Sequence, residues 1–457
     1  MHSAVMKSRA LCVIAGALAL TGACGPKSGD ESASASESSG ESSSEGTSGG
    51  GTTEGPGPTT GEPTAGEPTT GGPTSGESTT GLPADCPEGQ EHLAPLWSAE
   101  FEPEPMSFGF YSGTAPMGRM ADGRIVVAMN FQPDLEQSGL ALLLFAPDGA
   151  LLGPQTAALG TSPVEVHSLR IGADDQPLVL AEHFDGDDGS VHKLTRFSAD
   201  MQLLSQIELA FPAPEFLFRP VMAVAGDALA VAGHDAQLGT RQVAMLAPDT
   251  GAPLWKRELA GPGDLVPRQI AIGPQGDVAV AAHADFNADE VDTLRLWRFD
   301  ADGALLWDRV LSVPVYEDIT GLHFAPGDQL VVLRGTVEFS TRAELLSVEV
   351  ATGETRWELT VAAPEGDMTA WAQDMLVDND RFTIPVSRSK WHHDIMTSTH
   401  TLEVRTVSLA GELLEVAPLP GVLAPDSTSW VRSLRGRCGE LILLESFSHE
   451  RMFAFAP

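Results

Sequence analysis

Seven apolar stretches in this 457-residue chain end at Asn130, His183, His234, His283, Gly335, Ser387 and Ser446, so three consecutive repeats place histidine at the same position. Imidazole is the commonest metal ligand, and three in register raise the question of a shared ion. Zinc holds its ligands at ~2.0 to 2.1 Å, whereas packed layers of sheet lie ~10 Å apart. Equivalent residues of successive repeats are thus too far apart to share one ion, and the expectation is hydrogen bonding to the neighbouring repeat. The loop after His283 offers calcium chemistry instead. Asp285, Asn287 and Asp289 put oxygens at the first, third and fifth positions of a calcium loop. Glu290 stands where that loop needs glycine and Leu296 where it needs glutamate, so calcium binding and plain solvated acids are both readings of it. Asp185, Asp187 and Asp188 before Gly189 form a second incomplete loop of this kind.

The segment Ser387-Arg-Ser-Lys-Trp-His-His-Asp394 differs from every other repeat and reads as a loop. Trp391, His392, His393 and Asp394 are the candidate binding residues, because an exposed tryptophan flanked by polar groups is the composition of interaction hot spots and loops carry function more often than cores do. Ser387 and Lys390 match S-x-x-K, a nucleophile motif that needs a helix start. Here it follows a strand, so the match reads as coincidence. No G-x-S-x-G, H-E-x-x-H or phosphate-binding loop occurs, and the expected list of catalytic residues is empty.

What must position these residues is a repeat. The turn Ala301-Asp-Gly-Ala-Leu-Leu-Trp307 recurs in variant form at residues 147, 199, 249, 351 and 409. The seven endpoints step by 53, 51, 49, 52, 52 and 59 residues. Each copy holds four strand-like pieces joined by tight turns; in the fourth they are 268–273, 277–283, 293–299 and 304–311. Repeated four-stranded antiparallel units of this length predict an all-β fold, a seven-bladed β-propeller. The last copy lacks its fourth strand. Pro95-Leu-Trp-Ser-Ala-Glu-Phe101 aligns with Pro253-Leu-Trp-Lys-Arg-Glu-Leu259 and supplies it, so the N-terminal strand is expected to close the ring. Cys438 falls in the first turn of that blade and Cys86 just before the closing strand. Three strand spacings are ~14 Å, and the ten residues from Cys86 to Pro95 reach about 30 Å, so a Cys86–Cys438 disulfide is feasible.

At the N-terminus, Lys7 and Arg9 precede the apolar run ALCVIAGALAL, and Thr21, Gly22 and Ala23 lead to Cys24. This resembles a bacterial lipoprotein signal over residues 1–23, which implies lipidation of Cys24; Leu20 sits four residues before the cysteine rather than three. Gly25 resembles the residue found in lipoproteins sent to the outer membrane of a Gram-negative bacterium. Residues 24–85 are Ser, Thr, Gly, Glu and Pro with almost no bulky apolar side chain, and such a segment is expected to stay a disordered tether. Residues 86–457 make the propeller. The formal charge of −36 lies mostly there, since the tether carries about ten acids. That excludes phosphate-driven nucleic-acid binding and leaves the lipid on Cys24 as the expected membrane contact.

The segments GAPLWKREL, GALLWDRVL and GETRWELTV resemble the tryptophan-docking repeat of quinoprotein-type propellers, in which glycine opens the turn and tryptophan on the outer strand packs between blades. Trp97, Trp255, Trp307 and Trp357 carry the aromatic, and Leu152, Leu204 and Leu414 or a neighbour are expected in its place elsewhere. Quinoprotein dehydrogenases hold pyrroloquinoline quinone and calcium with a vicinal cysteine pair and a Glu, Asn and Asp set. None of these ligands carries over to this chain, so no cofactor is expected on that ground. A closer likeness is to the lipoprotein propeller of the outer-membrane assembly machinery, a non-catalytic scaffold. The resulting expectation is a monomeric, envelope-anchored binding module for a protein or an envelope polymer. The alternative is a propeller enzyme, either a degenerate quinoprotein or a metal-assisted hydrolase.

Overall fold

The computed structural model describes residues 91–100, 115–134, 137–160, 164–172, 174–184, 190–212, 220–235, 240–261, 265–284, 293–312, 318–335, 342–363, 368–372, 374–392, 397–420, 422, 430–446 and 451–457. The chain divides into two units, Met1–Glu77 and Ser78–Pro457, and every described residue belongs to the second. Cys24, Cys86, Asp285, Asn287, Asp289, His393 and Asp394 lie outside the described residues, as do the signal segment and the tether.

Seven antiparallel sheets follow one another along the chain. Blades 1 to 6 occupy residues 117–160, 164–212, 221–258, 265–312, 318–362 and 368–419. Blade 7 combines Trp430–Arg435, Leu441–Ser446 and Arg451–Phe455 with the N-terminal strand Pro95–Glu100. Trp97 pairs with Ala454, Ser98 with Phe453 and Glu100 with Arg451, and Ala456 donates its N–H to the carbonyl of Ala94 at 2.8 Å. The N-terminal strand thus completes the C-terminal sheet, as the Pro-Leu-Trp alignment predicts.

The core lies between blades rather than within them. Seven apolar clusters are found, and each is shared by two neighbouring blades. One joins Ile442, Leu444, Met452 and Ala454 of blade 7 to Ile125, Val127 and Phe145 of blade 1, which closes the circle. A sheet buried on both faces needs continuous apolar runs, and the middle strands supply them: Gln329–Gly335 is buried throughout. Outer strands alternate. In Pro253–Glu258 only Trp255 is buried.

The recurring turn explains how one blade locks to the next. Asp300 holds it, its side chain accepting the N–H groups of Asp302 at 3.0 Å and Ala304 at 2.7 Å, and Gly303 adopts a φ of 80°. Trp255 of blade 3 lies over this glycine and donates its indole N–H to the carbonyl of Ala301 at 2.8 Å. A Cβ on Gly303 would stand 2.6 Å from the indole. Trp307 donates likewise to Val350, Trp357 to Leu409 and Trp97 to Pro147.

The leucines expected to replace tryptophan do not. Leu152, Leu204 and Leu414 are 54%, 52% and 55% exposed and match Leu254 rather than Trp255. The residues in register with the tryptophan are Gly153, Ser205 and Glu415. Strand alternation sends the side chain one residue earlier to solvent, so no leucine there can reach the turn. Ile207 does the work in blade 2, its Cγ2 lying where a Cβ on Gly251 would come within 2.6 Å. Between blades 1 and 2 the exchange is complementary: Gly153 leaves space, and the turn glycine becomes Met201, buried and held at a φ of 62°.

Blade 6 departs from the loop reading of its polar run. Arg381–His392 is one 12-residue strand paired with the 12-residue strand Thr397–Ser408, and Trp391 pairs with Ser398 and His392 with Thr397. Ser387, Arg388 and Ser389 are buried. Arg388 is neutralised by Glu403 at 2.9 Å, which lets a sequence rich in charge and serine run on as strand. The five residues past Ser387 extend this hairpin by ~17 Å at strand rise, and of the candidate binding residues Trp391 and His392 form its last described pairs, with Ser398 and Thr397.

Candidate functional site

Ser387 and Lys390 are three apart on a strand and project to opposite faces, so the S-x-x-K match assembles no nucleophile. Cys438 sits in the turn 436–440, where its N–H donates to Glu440 at 2.7 Å.

The second-strand histidines do not converge. His183 and His283 are buried on separate blades. Burial, and then Lys193, push His183 down to about 4. Its Nε2 makes no hydrogen bond, so the expected bond to the next repeat is not made there by this atom. Asn130, the equivalent residue of blade 1, does make such a bond: its side-chain oxygen accepts the N–H of Val166 in blade 2 at 2.9 Å.

That bond falls at a β-bulge, and the bulge builds the site that sequence reasoning missed. In the first strand of blade 2, Val164–Ile171, the register slips between Val166 and Ser168 and leaves His167 unpaired in the ladder. Glu165 pairs with Glu182, and Glu182 pairs with His192 on the third strand, Ser190–Phe197. Paired residues share a face, and His167, two residues from Glu165, joins them. His167 Nε2 stands 3.3 Å from Glu182 Oε2, and His192 Nε2 stands 4.0 Å from the same oxygen. The two imidazole centroids are 5.6 Å apart. Both imidazoles are 1% exposed and the carboxylate 11%. None of the four ring nitrogens makes a hydrogen bond. Burial, and next His167, lower His192 to about 4 against the opposing pull of Glu182. Among the described residues this is the one set of three His, Cys, Asp or Glu donors close enough to meet on a single ion. The only sequence signal for it was the alternation Glu165-x-His167, which has meaning once the register to Glu182 is known.

A second polar convergence draws on four blades: Arg170 of blade 2 feels the charges of Arg432 in blade 7 and Asp374 in blade 6, and His323 of blade 5 feels those of Asp374 and Arg170. Arg170 is exposed to solvent. Asp374 accepts the N–H of Ser433 at 2.9 Å and so ties blade 6 to blade 7.

Comparison with curated proteins gives no match. Among solved structures, the chain is similar to a prolyl endopeptidase at 14% identity, covering 73% of this chain and 46% of that one with a TM-score of 0.44. Drosophila Semaphorin 1b extracellular domains 1-2 match at 6% identity over 80% and 87% with a TM-score of 0.47. Quinohemoprotein alcohol dehydrogenase from Comamonas testosteroni matches at 9% over 80% and 76% with a TM-score of 0.43. The chain therefore spans about half the length of the prolyl endopeptidase it matches. The seven sheets form a seven-bladed β-propeller with tryptophan docked on the glycine of the next turn, and residues 188–402 are similar to the family described as "Outer membrane protein assembly factor BamB".

Proposed function

We propose that this chain is an envelope lipoprotein, anchored through Cys24 to the outer membrane of a Gram-negative bacterium, that displays its propeller as a non-catalytic binding or scaffold module. The observation that carries this reading is the match of residues 188–402 to a family named for outer-membrane protein assembly. The partner is a protein or an envelope polymer, met in part through Trp391 and His392 of the extended hairpin of blade 6 and through His393 and Asp394, which follow them in sequence. Cys86 is the disulfide partner of Cys438; Cys12 is lost with the signal and Cys24 is lipidated, which leaves no other thiol.

Two measurements on the full-length protein test this. Cys24→Ser moves the protein from the membrane pellet to the soluble fraction; an unchanged pellet refutes the anchor. Crosslinking in intact cells captures an envelope component that Trp391→Ala loses; identical capture by the variant refutes the hairpin as the contact.

A further inference from the structure

We propose that His167, Glu182 and His192 bind one divalent transition-metal ion, zinc by preference, which clamps the three inner strands of blade 2. The argument begins with the geometry. Each donor comes from a different, adjacent strand, and the donor atoms all lie within 4.8 Å of one another. Ligands of a tetrahedral ion with bonds of ~2.0 to 2.1 Å are about 3.3 Å apart. The His167 to Glu182 separation is already 3.3 Å. The His192 to Glu182 separation of 4.0 Å would need to close by about 0.7 Å.

The bare nitrogens supply the second, independent observation. Buried polar atoms without hydrogen bonds cost free energy, and four occur here on two imidazoles that are each 1% exposed, although both Nε2 atoms face Glu182. A bound cation satisfies one lone pair on each ring and takes the charge of Glu182 at once. Two imidazoles and one carboxylate suit zinc or a neighbouring transition ion; calcium and magnesium prefer an all-oxygen shell. Glu165, the register partner of Glu182 on the same face, is placed to provide a fourth oxygen.

The position favours a structural ion. A shallow pocket lies around Gly172, Asp174 and Arg196, at the far end of these strands from Glu182 and His192. A clamp of this kind fits a scaffold and an enzyme equally, so its fate is separate from that of the function proposed above.

The test uses the full-length protein in detergent, stripped with chelator and titrated with zinc chloride. One equivalent of zinc binds and raises the unfolding temperature, whereas calcium chloride does not. His167→Gln and His192→Gln each abolish this equivalent while circular dichroism stays that of the wild type. Should either variant fail to fold, X-ray absorption on the wild-type zinc form decides: two imidazoles and no sulfur around the ion support the site. No zinc uptake, a sulfur-containing shell, or one equivalent retained in folded His167→Gln, overturns it.

Discussion

Replacing Gly303 by alanine probes the link between blades 3 and 4 at its tightest contact. The new methyl meets two obstacles. At φ 80° an alanine occupies the left-handed region, which costs ~1–2 kcal/mol. Its Cβ would also lie 2.6 Å from the indole of Trp255, and forcing a methyl into packed structure costs ~1–3 kcal/mol. Gly303→Ala is therefore expected to destabilise by about 2 to 5 kcal/mol. Gly226 gives the control, because its φ is 57° and nothing stands within 4 Å of its Cβ position; Gly226→Ala should lose only the backbone part, ~1–2 kcal/mol. Urea unfolding measures both. A double-mutant cycle sharpens the result: once Trp255→Ala has emptied the space above the turn, Gly303→Ala should revert to the cost of the control, a coupling of about 1 to 3 kcal/mol. Equal losses at the two glycines, or strict additivity with Trp255→Ala, would refute indole docking as the interblade lock.

Arg334 and Glu344 in blade 5 are each 5% exposed and paired, and Arg334 also pairs with Glu358, so Glu344→Leu removes one of two carboxylates and should cost ~1–3 kcal/mol. Arg334→Met in the same chain should restore much of that loss in the same urea assay. His323 is held below its ordinary pKa by burial first and then by Arg170, against the raising effect of Asp374. The unfolded chain therefore takes up this proton first as pH falls, so the stability His323 contributes is complete above about 6.5 and drains away below it. Urea midpoints at about pH 7.5 and about pH 5.5 should differ more for the wild type than for His323→Asn; equal differences contradict the assignment.

The architecture was legible because its signals are local and repeated. A turn written as Asp-x-Asp-Gly or Asp-Thr-Gly forces a hairpin wherever it occurs, and the Trp97 segment matches the Trp255 segment closely enough to place the closing strand. What escaped depends on register between strands. His167 joins Glu182 and His192 only because the ladder skips it, and a skipped residue leaves no trace in one strand's own sequence. The exposed leucines misled for a related reason: Leu152 and Trp255 are one position out of phase, and one step in a strand reverses the face. In blade 6 the run Ser387 to Lys390 looked like loop because its compensating charge, Glu403, comes from the facing strand. The third strand of blade 4 was placed to the residue, while its first strand starts at Leu265, three residues before the expected 268, since a bulge at Arg268 lets Pro267 sit in the ladder.

The central claim is that the two ends of the propeller share one sheet. Peptide-level hydrogen exchange on the folded protein reads this directly, since Leu93 donates to Ala456 and Pro95–Glu100 pairs along Arg451–Phe455. The account predicts that the ladder-bonded amides of 93–100 are protected together with those of 451–456, to the level of the equivalent outer strand Pro253–Glu258. Immediate exchange of 93–100 while 451–456 and the other blades stay protected would contradict it.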